Sequence, residues 1–259
     1  RMEPGGVGLN VARALARLGR PVRMVTSVGR DSDGETVLAA ARADGVDLGW
    51  AEISPTARTA TYRAAFDHLG DLIIGIADMA IFDSLTPAAV APAADAAPPA
   101  EAFVMDANLP APTLAFLAEA ANGRAVAAIG VSPAKAVKLG PLLARLTYLF
   151  VTRREAAALL GGADDSILPT RDLATRLAAR SAGHVVVTDS DKPLAAAAGA
   201  EVHLFPPFPA HVRSVNGAGD ALCAGLLHGL AGGRGFFDAA LSGLAAAAIT
   251  VEAPGTVAA

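Results

Sequence analysis

Cysteine is nearly absent from this sequence, since Cys223 is the only one among 259 residues. A single cysteine excludes an intrachain disulfide framework and a thiolate metal cluster. Charged residues are also few, at 18%, and the formal net charge is −4 with the arginines scattered along the chain. Binding to nucleic acids or to an anionic membrane surface requires clustered positive charge on the protein, so we expect neither as a partner.

Long hydrophobic runs and the common nucleotide fingerprints are missing as well. No apolar stretch approaches the length of a membrane span, and no signal peptide opens the sequence. We therefore expect a cytoplasmic protein without a membrane partner. No Gly-Lys pair occurs, which excludes the P-loop. Gly6 and Gly8 begin like a dinucleotide fingerprint, but Val11 takes the third glycine position and no strand precedes them. This disfavours a Rossmann-type oxidoreductase.

What is present is an apolar chain that alternates β-rich and helical patterns. Hydrophobic residues make up 53% of the sequence, which suffices for a sizeable core. No linker or internal repeat divides the chain, so we predict a single domain over residues 1–259. The alternation predicts an α/β fold with a mainly parallel central sheet flanked by helices on both faces. The predicted strands of this sheet include residues 22–28, 102–106, 125–129, 147–151 and 185–188.

Ligands of such sheets bind beyond the carboxyl ends of the strands. The polar residues that we predict at or near this edge are Asp106, Asn108, Thr152, Glu155, Thr188 and Asp220. The five histidines are scattered, and we assign none of them to a metal.

Two further β-rich runs, residues 59–66 and 72–76, are joined by a five-residue loop that contains Gly70. This spacing predicts a hairpin. Polar side chains occur at intervals along the first run, so one face of the hairpin is expected to be exposed. We interpret residues 51–78 as a small β lid that stands off the main sheet.

The most informative stretch is residues 215–230, in which Gly217, Ala218 and Gly219 precede Asp220 and an apolar run at helical spacing. Glycines allow a sharp turn and leave backbone N–H groups uncovered at a helix N-terminus, which suits a phosphate. The field of the helix end is expected to favour ionisation of Asp220, so that it can accept a proton from a hydroxyl. Phosphoryl transfer to an alcohol requires this combination of anion cradle and base. The alternative is an ordinary tight turn with Asp220 as a helix cap.

A second glycine-rich loop, Gly5-Gly6-Val7-Gly8-Leu9-Asn10, is followed by a predicted helix over residues 11–18 that ends at Gly19. Together the two motifs resemble the signatures of the ribokinase-like carbohydrate kinase family, also called the phosphofructokinase-B family. The first signature is a Gly-Gly loop with Asn-x-Ala and a helix ending in Leu-Gly, and the second is Gly-Ala-Gly-Asp with its helix. The resemblance extends from residue 5 to about residue 252.

The resemblance implies a ribokinase-like fold and a role for each matching residue. Asp220 would take the proton from the primary hydroxyl of the substrate, while Gly217, Ala218 and Gly219 would offer backbone donors to the phosphate. The implied substrate-binding residues are Gly5, Gly6, Asn10, Tyr62, Asp78 and Asn108. The implied nucleotide-binding residues are Thr152, Thr188, Asn216, Gly217 and Gly219.

The same resemblance implies cofactors and partners. Glu155 matches the acidic end of a family Asn-x-x-Glu motif and would organise Mg²⁺ through water. ATP and Mg²⁺ are therefore expected, with K⁺ as a candidate monovalent ion. The lid would exclude water from the site and would form the interface of a homodimer.

Three departures from the family pattern stand out. Thr152 replaces the Asn of the Asn-x-x-Glu motif, which affects the positioning of magnesium or phosphate. The strand end that usually reads Thr-x-Gly-x-x-Gly is Thr188-Asp189-Ser190-Asp191-Lys192-Pro193, and its two carboxylates are expected to repel phosphates unless they point away. The first strand of the family, which brings an Asp to the sugar, is missing from this sequence.

Short strings within the chain look most like pseudouridine kinases. They are Thr59-Ala60-Thr61-Tyr62, Gly70-Asp71-Leu72, Ala77-Asp78-Met79, Leu85-Thr86-Pro87, Asp106-Ala107-Asn108-Leu109-Pro110 and Val131-Ser132-Pro133-Ala134-Lys135. The sequence therefore predicts ATP-dependent phosphorylation of a small sugar or nucleoside, with pseudouridine as the expected substrate. The alternatives are the same reaction on ribose, adenosine or a ketohexose, and a non-catalytic family member that binds a sugar or nucleotide.

Overall fold

The computed structural model describes residues 3–66, 72–96, 102–162, 167–181 and 183–258. Its strands are β1 (Arg23–Gly29), β2 (Asp47–Ser54), β3 (Thr61–Phe66), β4 (Leu72–Asp78), β5 (Ala102–Asp106), β6 (Ala125–Ile129), β7 (Tyr148–Thr152), β8 (His184–Asp189), β9 (Lys192–Ala198) and β10 (Glu201–Phe205). Its α-helices are α1 (Val7–Arg17), α2 (Ser32–Ala43), α3 (Pro87–Asp95), α4 (Ala111–Ala120), α5 (Pro133–Ala136), α6 (Arg153–Leu160), α7 (Thr170–Ala178), α8 (Ala218–Ala231) and α9 (Phe236–Glu252). Two 3₁₀ segments, Ala80–Ser84 and Val137–Arg145, complete the described elements.

A six-stranded sheet in the order β10-β9-β8-β7-β6-β5 forms the centre of the molecule. Strands β5 to β8 run parallel, and β9 and β10 add an antiparallel edge. Both faces are buried, as β8 illustrates: Val185 and Val187 join one core cluster while Val186 joins the other. The predicted parallel sheet with helices on both faces is confirmed.

The two faces are covered by different helices. One core cluster draws on α4, α5, α6 and α7, and the other on α1, α8 and α9. Helices α8 and α9 approach closely because glycines line their contact: a Cβ on Gly243 would lie 2.6 Å from the Leu222 carbonyl oxygen, and one on Gly225 2.7 Å from that of Ser242. This packing fixes the position of α8, which carries the most informative motif of the sequence.

The α9 contact gives a first prediction on stability. Leu244 is buried in the core, whereas Leu241 on the same helix is 39% exposed. We expect Leu244→Ala to lower the free energy of unfolding by about 2–5 kcal/mol, because it removes buried methyl groups and leaves a cavity. Leu241→Ala serves as the matched control and should stay within about 0.5–1 kcal/mol of the parent in a urea titration. Equal losses in both variants would contradict this placement of α9.

Strands β1 and β2 form a separate parallel pair. Within the described part of the chain, β1 pairs only with β2, and β5 pairs only with β6. Both β1 and β5 line one large cleft, so their unpaired edges border the same space. Strand β2 was not predicted as a strand, because Gly49 and Trp50 interrupt a run with no clear alternation of apolar and polar residues.

The predicted hairpin is confirmed as β3 and β4, an antiparallel pair that forms its own sheet. The loop predicted at residues 67–71 lies outside the described residues. Thr59 anchors the base of this lid: its hydroxyl donates to Asp31 Oδ1 (2.6 Å) and accepts from the Gly29 N–H (2.9 Å). Asp31 also caps α2 through the Gly34 N–H (2.8 Å). These bonds hold the pKa of Asp31 below its ordinary value, and the bond from the Thr59 hydroxyl has the largest effect.

Helix α1 begins earlier than the sequence predicted, at Val7 rather than at residue 11. Gly6 takes a positive φ of 118° and turns the chain into the helix, so the second half of the glycine-rich loop is the first helical turn. As a result, Asn10 lies on a helix and not on a flexible loop. None of the helices in the described ranges has both the length and the apolar character needed to cross a bilayer.

Candidate active site

The starts of α1 and α8 meet at the cleft, and their polar side chains bond directly. Asn10 Nδ2 donates to Asp220 Oδ2 at 2.7 Å, although the two residues are 210 positions apart. The cleft has a volume of about 2290 Å³. The residues of the predicted site that line it are Gly5, Gly6, Asn10, Tyr62, Asn108, Asn216, Gly217 and Asp220. Both glycine motifs of the sequence therefore contribute to one cavity.

Gly217 forms the turn that begins α8. It takes a positive φ of 82° as the helix N-cap, and a Cβ at this position would overlap the backbone of Thr256. Gly219, in contrast, has open space around its Cα. The first N–H groups of a helix have no partner within the helix, so the start of α8 offers donors and positive potential to an anion. Gly219 and Asp220 carry such groups, whereas the Ala218 N–H donates to the Val215 carbonyl (3.3 Å).

The field of the helix end was expected to favour the ionised form of Asp220, but the surroundings of this carboxyl shift its pKa the other way. Burial raises the pKa of Asp220 to about 6, the hydrogen bond from Asn10 opposes this rise, and the charge of Asp106 adds to it. The field of the helix end, which favours the charged form, is outweighed because desolvation of a carboxylate is the larger effect here. A carboxyl group with this pKa is ionised at neutral pH yet holds a proton more strongly than an ordinary aspartate, which suits a general base.

Asp106, at the carboxyl end of β5, ties the glycine-rich loop to the sheet. Its Oδ2 accepts from the Gly8 N–H (3.0 Å), and its Oδ1 accepts from the Asn108 N–H (2.7 Å). The sequence indicated Asp106 only as a polar residue at a strand end. Its contact with Gly8 spans 98 positions and left no local signal in the sequence.

Two lysines approach the loop after β5. Lys135 Nζ donates to Asn108 Oδ1 (2.5 Å), and Lys138 Nζ donates to the Leu109 carbonyl (2.7 Å). Burial, followed by the charge of Lys135, lowers the pKa of Lys138. Lys135 lines the cleft, so it brings positive charge to the same cavity as Asp220. Sequence reasoning did not assign either lysine to the site, because no spacing rule links them to Asn108.

Thr152 and Thr188 are register neighbours at the carboxyl ends of β7 and β8, outside the lining of the cleft that holds Asp220. Thr152 forms a capping box with Glu155: the Thr152 hydroxyl accepts from the Glu155 N–H (3.3 Å), and Glu155 Oε2 accepts from the Thr152 N–H (2.8 Å). Glu155 is only 6% exposed, and burial raises its pKa. One oxygen of this carboxylate is thus committed to the helix cap.

Few side chains that could bind a metal ion lie close together in the described residues. No group of three or more acidic, histidine or cysteine side chains lies close enough together there to hold an ion. Mg²⁺ prefers to keep several waters and to bind one or two carboxylates together with substrate phosphates, so Glu155 alone is compatible with a water-mediated role.

The two carboxylates expected to repel phosphates, Asp189 and Asp191, have different surroundings. Asp189 Oδ2 lies 3.1 Å from Arg153 Nε and 3.3 Å from Lys192 Nζ, so its charge is balanced by two cations. Asp191 is exposed. The repulsion expected from Asp189 is therefore reduced by its own ion pairs.

The two lid residues of the predicted site differ in placement. Tyr62 lines the main cleft but is 59% exposed, and its hydroxyl lies over Gly75, where a Cβ would come within 2.5 Å. Asp78 lines a separate cavity of about 520 Å³ beside Asp31 and Arg63. In this arrangement Asp78 does not share the cavity of Asp220.

The fold and this site define a ribokinase-like kinase, a phosphotransferase that uses ATP and acts on a sugar or nucleoside. The chain belongs to the pfkB family of carbohydrate kinases, whose family model matches residues 1–259. The resemblance inferred from the two glycine motifs is thereby confirmed.

Individual relatives agree with this assignment. Pseudouridine kinase from Escherichia coli (strain K12) is 30% identical over 231 residues, which cover 87% of this chain and 72% of that protein. A carbohydrate kinase from Agrobacterium tumefaciens is 36% identical, with a TM-score of 0.83 over 98% of this chain and 81% of its own. Ribokinase from Thermotoga maritima is 21% identical with a TM-score of 0.85, covering 99% and 84% of the two chains, and shares the fold.

Proposed function

We propose that the protein phosphorylates the 5′-hydroxyl of pseudouridine with ATP. Two features support this substrate over other sugars and nucleosides. The first is the 30% identity to a pseudouridine kinase, and the second is the set of short strings from Thr59 to Lys135 that look most like that group. The observation that carries the proposed chemistry is the half-buried carboxylate of Asp220 at the start of α8, whose Oδ2 lies 2.7 Å from Asn10 Nδ2.

The reaction follows from the geometry of these residues. The primary hydroxyl of the substrate would enter the cleft beside Asp220, which accepts its proton as the oxygen attacks the γ-phosphorus of ATP. The bond between the γ-phosphorus and the bridging oxygen breaks, and ADP leaves with that oxygen. The N–H groups of Gly217 and Gly219 would bind the charge that develops on the transferred phosphoryl group, and Ala218 would join them only by releasing the Val215 carbonyl. Gly5, Gly6, Asn10 and Asn108 hold the sugar, with amide groups that both donate to and accept from hydroxyls.

On this proposal the nucleotide lies toward Thr152, Thr188 and Asn216. Glu155 would hold Mg²⁺ through water at this side of the site. When bound, Mg²⁺ neutralises charge on the β- and γ-phosphates. Tyr62 and Asp78 belong to the lid, which closes over the nucleoside and excludes water.

A substrate panel tests the proposal. The purified protein is incubated with ATP and Mg²⁺ and with pseudouridine, uridine, ribose, adenosine or fructose, and the products are measured by mass spectrometry. We expect the highest kcat/KM on pseudouridine, with an added mass of one phosphate. A higher kcat/KM on another member of the panel would overturn the substrate and leave the kinase chemistry in place. Parallel assays in KCl, NaCl and choline chloride measure the dependence on K⁺.

The pKa of Asp220 sets the expected pH dependence. Asp220 acts as a base only when ionised, and its pKa is raised to about 6. We therefore expect kcat/KM to be level above pH 7 and to fall about tenfold per pH unit below pH 6. An acid limb centred near the ordinary pKa of an aspartate, about 4, would contradict the burial of this carboxylate.

The second candidate function is a non-catalytic sensor that binds a sugar or nucleotide. It is favoured by one observation, the Thr152 that replaces the family Asn and serves as a helix cap. A sensor would bind pseudouridine or ATP in calorimetry while releasing no phosphorylated product in the panel above.

We also propose a homodimer that forms through the lid. Apolar side chains are exposed on β2, β3 and β4, with Ile53 at 47% and Tyr62 and Ile76 each at 59%. Light scattering on a sizing column should give twice the chain mass of 25.9 kDa. Ile76→Asp should lower the measured mass to that of the monomer, whereas Ile249→Asp on the exposed face of α9 should leave it unchanged.

A further inference from the structure

The carboxylate of Asp220 is the first of three side chains joined in a row. Asn10 Nδ2 donates to Asp220 Oδ2 (2.7 Å), and Asn10 Oδ1 lies 3.2 Å from Thr256 Oγ1. Asn10 is only 5% exposed. The three residues come from α8, from α1 and from the segment after α9, and Thr256 is 246 positions from Asn10.

The hydroxyl of Thr256 has two acceptors within reach. Asn10 Oδ1 lies at 3.2 Å and the Pro4 carbonyl at 3.4 Å, and a hydroxyl has one proton to donate. The side-chain oxygen of Asn10 is the nearer of the two. When Thr256 donates to it, the amide presents its N–H₂ group to Asp220.

The segment that carries Thr256 is held from both sides. Arg17 on α1 donates to the backbone carbonyls of Val257 and Ala258 and forms an ion pair with Asp44 (2.8 Å). On the other side, the Thr256 backbone packs against Gly217 so closely that a Cβ there would overlap it. The hydroxyl of Thr256 is thus positioned by contacts that do not depend on Asn10.

We propose that Thr256 is a positioning residue, which fixes the side-chain amide of Asn10 as a hydrogen-bond donor to Asp220. Thr256 touches no reacting atom and acts only through Asn10. The inference deepens the proposed function, and it rests on that function where it concerns catalysis.

Without the Thr256 hydroxyl, the amide of Asn10 can turn and present its oxygen to Asp220. A donor to the charged form of a carboxyl lowers its pKa, and the loss of that donor raises it. The groups that face Asp220 are few. Asp106 adds its negative charge from the end of β5, and the buried thiol of Cys223 follows on α8, with its own pKa raised by burial. Lys135 lines the same cleft, but its ammonium group donates to Asn108 Oδ1 (2.5 Å). None of these groups replaces the donor.

The experiment measures the carboxyl pKa of Asp220 by NMR on protein labelled with ¹³C in its aspartate carboxyls, with Asp220→Asn to identify the signal. In Thr256→Val and Thr256→Ala we expect the pKa to rise by about one unit. Thr256→Ser should restore the parent value, because it keeps the hydroxyl. Thr175→Val, which removes a hydroxyl on α7 that bonds the Arg171 carbonyl, is the remote control.

Kinase assays on the same variants give the second readout. In Thr256→Val we expect the acid limb of kcat/KM to move up with the pKa, so that the loss is about fivefold at pH 6 and small at pH 8.5. An unchanged pKa in folded Thr256→Val and Thr256→Ala, or a loss of equal size at every pH, would overturn the inference. If the parent shows no turnover while the pKa still rises in these variants, the proposed function fails and the positioning role stands.

Discussion

Replacing Asp220 by asparagine is expected to reduce kcat by about 10²–10⁴-fold, the contribution of a positioned general base. The introduced amide would fill nearly the same volume and could still bond Asn10, but it cannot accept the proton of the substrate hydroxyl. The KM for the nucleoside and the Kd for ATP should change little, because neither depends on the proton acceptor. A steady-state assay together with calorimetry on the variant measures both effects.

The chain offers a matched control for this change. Asp238 occupies the same position in the first turn of α9 that Asp220 occupies in α8, but it is exposed. Asp238→Asn should leave kcat within about twofold of the parent, the range of a surface substitution. Should Asp220→Asn keep more than a tenth of the parent kcat, Asp220 is not the base.

Asp220→Asn should also stabilise the fold at neutral pH. The pKa of Asp220 in the folded protein is raised, so its ionisation costs stability. This cost is absent below about pH 4, where both states are protonated, grows as the pH rises, and is complete above about pH 6. Removing the charge should add about 1–3 kcal/mol to the free energy of unfolding at pH 8. Urea titrations at pH 8 and at pH 4 should show the gain at the higher pH alone, and a gain of the same size at both would contradict the sign of the shift.

The second large effect is expected at Gly217. Gly217→Ala places a Cβ on a residue with φ of 82° and into the backbone of Thr256. The positive φ alone costs roughly 1–2 kcal/mol for an L-residue, and the overlap must displace the segment after α9. Because the same turn aims the first N–H groups of α8, we expect kcat/KM to fall by at least about 10²-fold, the loss typical of a removed oxyanion donor.

Gly233→Ala separates the effect of the positive φ from the effect of the overlap with Thr256. Gly233 follows α8 with the same φ of 82°, but a Cβ there meets no atom within 4 Å. It should lose stability by roughly 1–2 kcal/mol from the positive φ while keeping the parent kcat/KM. Similar kinetic losses in both glycine variants would mean that the cradle at Gly217 is not part of the active site.

Local patterns sufficed to predict much of the fold. Strands β5 and β6 were predicted at the observed bounds, since each is a short apolar run between turn signals. Helix α6 was predicted at its observed bounds because Thr152 and Glu155 form a capping box, which three-residue spacing reveals. The start of α1 was missed because Val7, Gly8 and Leu9 look like a glycine-rich loop when their partner Asp106 is unknown.

The residues of the candidate site also differ in how well the sequence predicted them. The two glycine motifs identified Asn10, Gly217 and Asp220, and these residues do share the cleft. Thr152, Thr188 and Asp78 were assigned through the family resemblance, and the structure places them outside that cleft. Thr256 had no signal, and Lys135 stood out only as the last residue of a string that resembles pseudouridine kinases, because a single hydroxyl or ammonium group has no spacing that distinguishes it.

The sequence by itself determined the class of this protein, because turn glycines, a helix-start aspartate and alternating buried segments are local features that chain order alone specifies. Only the tertiary structure decided the protonation behaviour of the Asp220 carboxyl and which residues support it. The bonds of Asp220 to Asn10, of Asn10 to Thr256 and of Asp106 to Gly8 join residues 210, 246 and 98 positions apart. Desolvation depends on which surfaces those contacts bury, so the raised pKa of Asp220 arises only when α1, α8 and the end of β5 have packed together.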